Sequence, residues 1–203
     1  MNVADDCYKT IEAPSEGYYA EKRSRFLAFA VPVATVEEVK GHIDACRKKY
    51  YDARHVCWAY MLGSARQTFR ANDDGEPSST AGKPILGQIN SNELTGILIM
   101  VVRYFGGIEL GTSGLITAYR AAAASAIANA QIIERTVDET FTIVFEYPCQ
   151  NSVMRILKEE NPAILSREFN MDCRITLRIR QSHAPRLKER LLSIDNGKLI
   201  INN

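Results

Sequence analysis

Several common classes of protein are excluded by what this 203-residue sequence lacks. Its five cysteines form no CxxC pair and only three histidines accompany them, which argues against a disulfide framework or a structural zinc site. The longest strongly apolar run has six residues, too few to cross a bilayer, and the first residues do not resemble a signal peptide. The net charge of +1 gives no general attraction to nucleic acid or membrane. We therefore expect a soluble cytoplasmic protein with no membrane partner and no signal for DNA, whose charged contacts come from local clusters.

The length and composition predict two domains of the α+β class. Hydrophobic residues make up 46% and charged residues 24% of the chain, as in ordinary globular proteins. The composition changes after Arg135, and residues 136–203 show the order β-α-β-β-α-β of a split βαβ, ferredoxin-like unit. We therefore predict one domain over residues 1–135 and a ferredoxin-like domain over residues 136–203.

The N-terminal part is organised around apolar segments that predict buried strands. These segments are Phe26–Val33, His55–Leu62 and Ile97–Val102. Thr35 and Glu38 form a capping box, which predicts a helix that ends near Tyr50. Ser15–Lys22 is predicted as a turn-rich connection, and an alanine-rich helix after the third strand is predicted to end near Ile132.

A polar loop, residues 72–83, carries three carboxylates at Asp73, Asp74 and Glu76, with Lys83 at its end. Carboxylate oxygens are ligands that Mg²⁺ prefers, so these three residues are candidate metal ligands. In the alternative interpretation the loop is a solvated turn whose aspartates bond their own backbone, which the residue types favour.

A glycine-rich segment follows Arg103-Tyr104-Phe105 and precedes the alanine-rich helix. Four glycines lie within nine residues: Gly106, Gly107, Gly111 and Gly114. Backbone N–H groups at a helix start can bind an anion, and Arg103 could hold a phosphate by a bidentate bond. Alternatively, the glycines bind no ligand and only permit positive φ angles and close backbone packing. The segment is neither a Walker loop nor a dinucleotide-binding fingerprint.

Two further groups of residues are candidates for function. His55 and Cys57 lie on the same face of a predicted strand, although a lone histidine is more often structural than catalytic. In the second domain Arg174, Arg178 and Arg180 share one strand face and could contact RNA, or could be balanced by nearby glutamates.

The sequence resembles the YigZ/IMPACT family in two segments, DDGEPSSTAGKPIL from Asp73 and GILIMVVRYFGGIELGTSGLITAY from Gly96. The residues that match the first motif are Asp73, Asp74, Gly75, Glu76, Pro77, Thr80, Ala81, Gly82 and Pro84. Those that match the second are Arg103, Tyr104, Gly106, Gly107, Gly111, Gly114 and Tyr119. Ser79 and Ser113 stand where the family usually has glycine, which predicts that neither position needs a positive φ, and Thr117 stands where arginine is common.

The resemblance implies a fold and a cellular setting. It implies an N-terminal domain like domain 2 of ribosomal protein S5, a fold also found in domain IV of elongation factor G. It implies a C-terminal domain like domain V of that factor. The eukaryotic relatives regulate translation through the general amino-acid control kinase pathway, but they carry an RWD domain that is not found in this sequence.

Two hypotheses for function follow. In the first, the chain is a translation-associated regulatory protein that needs no cofactor and binds RNA or the ribosome. The residues expected to contact the partner are Arg54, His55, Lys83, Arg103, Arg174, Arg178 and Arg180, with Tyr104 stacking and the four glycines allowing close backbone approach. In the alternative, the acidic and glycine-rich loops form a Mg²⁺-dependent nucleotide-binding or hydrolytic enzyme. A third interpretation is a small protein-interaction module with no ligand. Whether the protein is an enzyme, and its oligomeric state, stay open.

Overall fold

The structure is a computed structural model that describes residues 6–194 and 199–202, and the chain folds into two compact units. The N-terminal unit is Tyr8–Arg135, and the C-terminal unit contains the residues from Thr136 onward together with Asp6 and Cys7. Both units mix helices with strands, so the predicted mixed α/β character is confirmed. The predicted turn at Asp195-Asn196-Gly197 lies outside the described residues.

Between residues 7 and 136 the structure has seven strands and three helices. They are β1 (Cys7–Ile11), β2 (Ser15–Glu21), β3 (Ser24–Pro32), α1 (Val36–Lys49), β4 (His55–Leu62), β5 (Thr68–Asn72), α2 (Gly82–Ser91), β6 (Ile97–Tyr104), α3 (Gly111–Ala128) and β7 (Ile132–Thr136). Five of the strands form an antiparallel sheet in the order β2-β3-β6-β4-β5, and β1 pairs with β7.

The central strand β6 sets the two faces of the five-stranded sheet. Ile97, Ile99 and Val101 pack with α2 and α3 in one apolar cluster. The alternate residues, such as Met100 and Val102, pack with α1 in a second cluster. Because side chains alternate along a strand, Arg103 at the end of β6 continues the face that α2 and α3 cover.

Two predictions about the N-terminal unit were wrong. Ser15–Glu21 is not a loop but the edge strand β2, and the alanine-rich helix ends at Ala128, so that Ile132–Thr136 forms a strand. Gly17 explains the first error, because a glycine among polar residues usually indicates a turn. A Cβ atom at Gly17 would lie 2.2 Å from the backbone nitrogen of Ala126, so the glycine instead lets α3 pack directly on the strand.

The C-terminal unit is built from the remaining elements. They are β8 (Asp138–Phe145), a short 3₁₀ helix (Tyr147–Cys149), α4 (Gln150–Glu160), β9 (Ala163–Phe169), β10 (Cys173–Arg180), α5 (Ala184–Leu192) and β11 (Leu199–Asn202). The strands form an antiparallel sheet in the order β11-β8-β10-β9. One face of this sheet packs with α4 and α5 through Phe141, Ile143, Ile175 and Leu187, among others. No helix within the described ranges is long and apolar enough to cross a membrane.

Candidate functional site

A cleft of about 420 Å³ lies at the end of the five-stranded sheet, where β4 begins, β6 ends and α3 begins. Its lining includes Arg54, His55, Glu76, Arg103 and Phe105, and the first turn of α3 around Gly111. The acidic loop and the glycine-rich segment, which the sequence separates, therefore meet in one cleft. The pairing of β4 with β6 explains this, because it places His55 directly opposite Arg103.

Arg103 and Glu76 form a buried ion pair at the base of this cleft. Arg103 Nη1 lies 2.5 Å from Glu76 Oε1, and the hydroxyl of Tyr119 donates to the same oxygen at 2.9 Å. The two charged side chains are only 9% and 3% exposed. Arg103 is therefore committed to a protein carboxylate, and Nε of Arg103 is buried with no hydrogen-bond partner among the residues that the structure describes. The first role of this arginine is to join the two motifs.

Asp73 organises the acidic loop by accepting hydrogen bonds from the backbone. Its carboxylate accepts from the N–H groups of Ser79, Ala81 and Gly82 at 2.8–3.0 Å. These bonds satisfy donors at the start of α2, where the residue at the usual capping position, Ala81, has no side chain that can accept a hydrogen bond. Ser79 has a φ of +66°, so the prediction that this position avoids a positive φ was wrong. The bond from its N–H to Asp73 helps to hold that conformation.

Asp74 links the acidic loop to β4. Its carboxylate accepts from the N–H of Val56 at 2.7 Å and from Arg47 at 2.6 Å. Its backbone carbonyl accepts from Nδ1 of His55 at 2.7 Å. The three carboxylates of the loop thus point to three different sets of protein donors.

This arrangement does not fit the magnesium site suggested for Asp73, Asp74 and Glu76. A cation of this kind needs several oxygen ligands that converge on one point. Across residues 6–194 and 199–202, no group of three His, Cys, Asp or Glu side chains is placed to hold a metal ion. The three carboxylates instead act as acceptors that hold the loop in shape.

Cys57 lies behind the cleft and is not a nucleophile in this environment. Its Sγ atom is 2.9 Å from the carbonyl oxygen of Asp73 and 3.3 Å from the hydroxyl of Tyr119. Burial raises the pKa of the Cys57 thiol strongly, and burial likewise raises the pKa of Tyr119. Both groups stay protonated at neutral pH, which suits a structural network around Glu76.

The N-terminus of α3 opens onto the same cleft. No side chain of the described residues caps it and its first turn has no acidic residue, so its N–H groups carry a partial positive charge. Gly111 has a φ of +70°, and open space lies where its Cβ would stand. Gly106 has a different role, because a Cβ there would lie 2.1 Å from the backbone of Arg23 in the turn between β2 and β3. Gly107 also has a positive φ, whereas Gly114 lies within α3.

Other residues predicted to bind a partner lie outside the cleft lining. Tyr104 is on the opposite sheet face and donates to Asp52 at 2.8 Å, a bond that raises the pKa of Tyr104. Lys83 is exposed on α2. In the C-terminal unit Arg174 and Arg178 are exposed on the sheet face away from α4 and α5, while Arg180 binds Asp6.

Phe105 is one of the cleft residues that sequence reasoning missed, together with Glu109, Leu110, Thr112 and Leu115. More than half of the Phe105 side chain is exposed, and its ring lies 5.6 Å from the guanidinium carbon of Arg103. The available signal was a large apolar side chain between a predicted buried strand and a glycine-rich segment, since exposed apolar residues often mark binding surfaces.

Comparison with known proteins adds the family to this geometry. A family model of the Impact N-terminal domain matches residues 22–127, which contain both motifs and every residue of the cleft. The chain belongs to the IMPACT family. It is similar over most of its length to bacterial members of that family. A Haemophilus influenzae member is 31% identical over 186 residues, covering 89% of this chain and 88% of the relative.

Two further bacterial members and one solved structure agree with this assignment. IMPACT family member YvyE of Bacillus subtilis is 28% identical over 191 residues, covering 94% of this chain and 88% of the relative. IMPACT family member YigZ of Escherichia coli is 29% identical over 180 residues, covering 88% of each chain. A crystal structure of a hypothetical protein is 28% identical, with a TM-score of 0.73 and 97% of both chains covered.

Proposed function

We propose that this member of the IMPACT family is a translation-associated regulatory protein that binds RNA or the ribosome through its cleft. The observation that carries the proposal is the meeting of the N-terminus of α3 with Arg54 and His55 in one concave surface. Helix N-termini bind anions through free N–H groups and the helix dipole. The phosphate groups of RNA are such anions. We place the protein in the cytoplasm, where translation takes place.

Within the cleft, different residues have different roles in this proposal. Arg54 is exposed and can reach a phosphate, whereas Arg103 is held by Glu76 and supports the shape of the site. Phe105 offers an exposed ring on which a base can stack, a contact that tolerates any base. Glu109, also in the lining and exposed, opposes anion binding by its charge.

A second surface of the C-terminal unit supports the same function. Arg174 and Arg178 stand on an open sheet face with Thr142 and Thr176, whose hydroxyls are 3.0 Å apart. Cationic and hydroxyl side chains together suit contacts to phosphate and ribose. We therefore propose this face as a second RNA-binding surface, separate from the cleft.

We also propose the finer fold assignments that the family resemblance implies. The N-terminal unit would correspond to domain 2 of ribosomal protein S5, and the C-terminal unit to domain V of elongation factor G. The β-α-β-β-α-β order of the C-terminal unit, with its antiparallel sheet β11-β8-β10-β9, supports the second assignment. One fold can serve many functions, so the proposed RNA binding rests on the cleft and not on these fold assignments.

The test is RNA binding by two variants with opposite expected effects. Fluorescence anisotropy measures the affinity of the full chain for a labelled single-stranded RNA at several salt concentrations. Arg54→Ala should weaken RNA binding about 5–50-fold. It should also reduce the slope of log K against log salt by about one, the contribution of one phosphate contact. Glu109→Gln removes a repelling charge and should strengthen binding. Both residues are exposed, so neither change should alter the fold.

Two outcomes would overturn the proposal. One is an RNA affinity that does not depend on salt. The other is equal affinity for the wild-type chain, Arg54→Ala and Glu109→Gln. Lys40→Ala, an exposed change on α1 outside the cleft, is the matched control for a general effect of losing one positive charge.

A further inference from the structure

We propose that His55 is a general base in this cleft and that the protein cleaves the RNA it binds, by attack of a 2′-hydroxyl on the neighbouring phosphodiester. This inference rests on the proposed RNA-binding function and adds a reaction to it. A histidine without partners would not support such a reaction, but the acidic loop holds the imidazole ring of His55 in one tautomer.

The hydrogen bond to Asp74 determines which nitrogen of His55 carries the proton. Nδ1 lies 2.7 Å from the backbone carbonyl oxygen of Asp74. A carbonyl oxygen only accepts hydrogen bonds, so Nδ1 must donate, and the neutral ring then has its lone pair on Nε2. His55 lines the cleft and keeps 15% of its side chain exposed. The ring therefore has the form of a base beside an accessible cleft.

The acidic loop holds the Asp74 carbonyl against this ring. Asp74 has a φ of +44°, an uncommon conformation for a residue other than glycine. The Asp74 carboxylate accepts bonds from Val56 N–H and Arg47, and the Asp74 N–H donates to Oδ1 of Asn72. These bonds hold the conformation. Backbone conformations of this kind persist where the surrounding structure enforces them, and they concentrate at functional sites.

Gly75 and Glu76 complete the surroundings of the ring. A Cβ at Gly75 would touch Cε1 and Nδ1 of His55 at 3.5 Å, and its φ of +86° favours glycine. Glu76 Oε1 lies 4.0 Å from Nε2, on the other side of the ring from the Asp74 carbonyl bond. The Asp73-to-Glu76 motif thereby gains a purpose that a solvated turn does not have: it positions His55.

The reaction that fits these groups needs a base and stabilisation of phosphate charge. Nε2 of His55 takes the proton of the 2′-hydroxyl, and the 2′-oxygen forms a bond to phosphorus. The bond from phosphorus to the 5′-oxygen breaks, and that oxygen takes a proton from water. The hydroxide left by this water takes the proton from Nε2, which restores the neutral imidazole. The products are a 2′,3′-cyclic phosphate and a 5′-hydroxyl end. Arg54 and the N–H groups of α3 stabilise the added charge on the phosphate oxygens.

The experiment compares cleavage of a labelled RNA with cleavage of the same sequence as DNA, in the presence of EDTA. His55→Asn is the decisive variant, because an asparagine amide can replace the Nδ1 donor to Asp74 but supplies no base at the Nε2 position. His42→Asn, an exposed histidine on α1, is prepared in the same way as the control for contaminating nuclease. The wild-type chain and His42→Asn should cleave the RNA but not the DNA. The RNA products should end in cyclic phosphates, which mass spectrometry detects. His55→Asn should cleave at least about 100-fold more slowly.

RNA binding measured in parallel separates this inference from the proposed function. A loss of cleavage in His55→Asn that far exceeds any loss of RNA affinity supports both. Salt-dependent binding by a wild-type chain that leaves RNA intact overturns the inference but not the proposed function, as does equal cleavage by wild type and His55→Asn. Cleavage of the DNA sequence, or products without a cyclic phosphate, would also overturn it, and these two results do not depend on the folding of any variant.

Discussion

Arg103 in the N-terminal unit and Arg178 in the C-terminal unit look equivalent in the sequence but differ in the structure. Arg103 follows the apolar residues of β6, and Arg178 follows an apolar residue in the alternating pattern of β10. Arg103 is buried against Glu76, whereas Arg178 is 52% exposed and its Nε atom is 3.7 Å from Asp138. Arg180, two residues further along β10, is held by two bonds to Asp6. Arginines whose carboxylate partners are buried hold the fold, whereas exposed arginines such as Arg178 remain available for RNA.

The largest effect on stability is expected at Arg103. Arg103→Met leaves Glu76 buried without its counter-charge and should lower the free energy of unfolding by about 3–5 kcal/mol. Urea denaturation followed by tryptophan fluorescence reports this directly, because the single tryptophan, Trp58, lies in β4 of the same unit.

The double variant Arg103→Met/Glu76→Gln sharpens this test. It removes the uncompensated charge and should recover about 0.5–3 kcal/mol of the loss. An Arg103→Met chain as stable as wild type would show that the ion pair does not hold the two motifs together. Arg103 would then contribute no more to stability than the exposed Arg174 and Arg178.

A smaller and pH-dependent effect is expected at Asp6. Bonds from Arg180 and Ser182 hold the pKa of the Asp6 carboxyl well below its ordinary value. A lowered folded-state pKa means that the carboxylate stabilises the folded unit above the ordinary pKa and loses this contribution as the pH falls. Asp6→Asn should therefore destabilise the C-terminal unit at neutral pH, and the difference from wild type should shrink below about pH 4.

Hydrogen exchange in β10, measured by mass spectrometry, checks this pH dependence. The loss should be smaller than that at Arg103, because the Arg180 side chain is 30% exposed and water can replace part of the interaction. A difference between Asp6→Asn and wild type that grew as the pH fell would contradict the assigned role of the pair.

The smallest effect on stability is expected on the open sheet face. Arg174→Ala and Arg178→Ala should each change the free energy of unfolding by no more than about 0.5 kcal/mol, because both side chains are exposed. Far-UV circular dichroism during thermal unfolding measures this. In the anisotropy assay the double variant should bind RNA more weakly. A large loss of stability with unchanged RNA affinity would place these arginines with Arg103 and Arg180 instead.

Much of the fold followed from local patterns along the chain. The capping box at Thr35 begins α1 as predicted, since the Thr35 side chain accepts from the N–H of Glu38. Apolar runs marked the strands β3, β4 and β6. The strand β2 was missed because its apolar character is weak and its place depends on packing with α3, which lies more than a hundred residues later in the chain. Local propensity contains no information about such a contact.

The candidate site was predicted in its parts but not in its arrangement. His55, Glu76, Arg103 and Gly111 were all singled out, and the structure brings them to one cleft. Tyr104 and Lys83 were singled out with them, and they lie elsewhere because the alternation of β6 and the start of α2 direct them away. Phe105 takes the place in the lining that the sequence suggested for Tyr104.

The sequence by itself determined the two motifs, the family and most of the secondary structure, because each depends on residues that are neighbours along the chain. Only the tertiary structure decided what the charges do. Arg103 meets Glu76, Asp73 meets three backbone donors and Asp74 meets His55 across separations of up to 27 residues. Sheet register and burial determine partners at that separation. The sequence around a charged residue does not indicate whether its partner will be a protein group or a ligand.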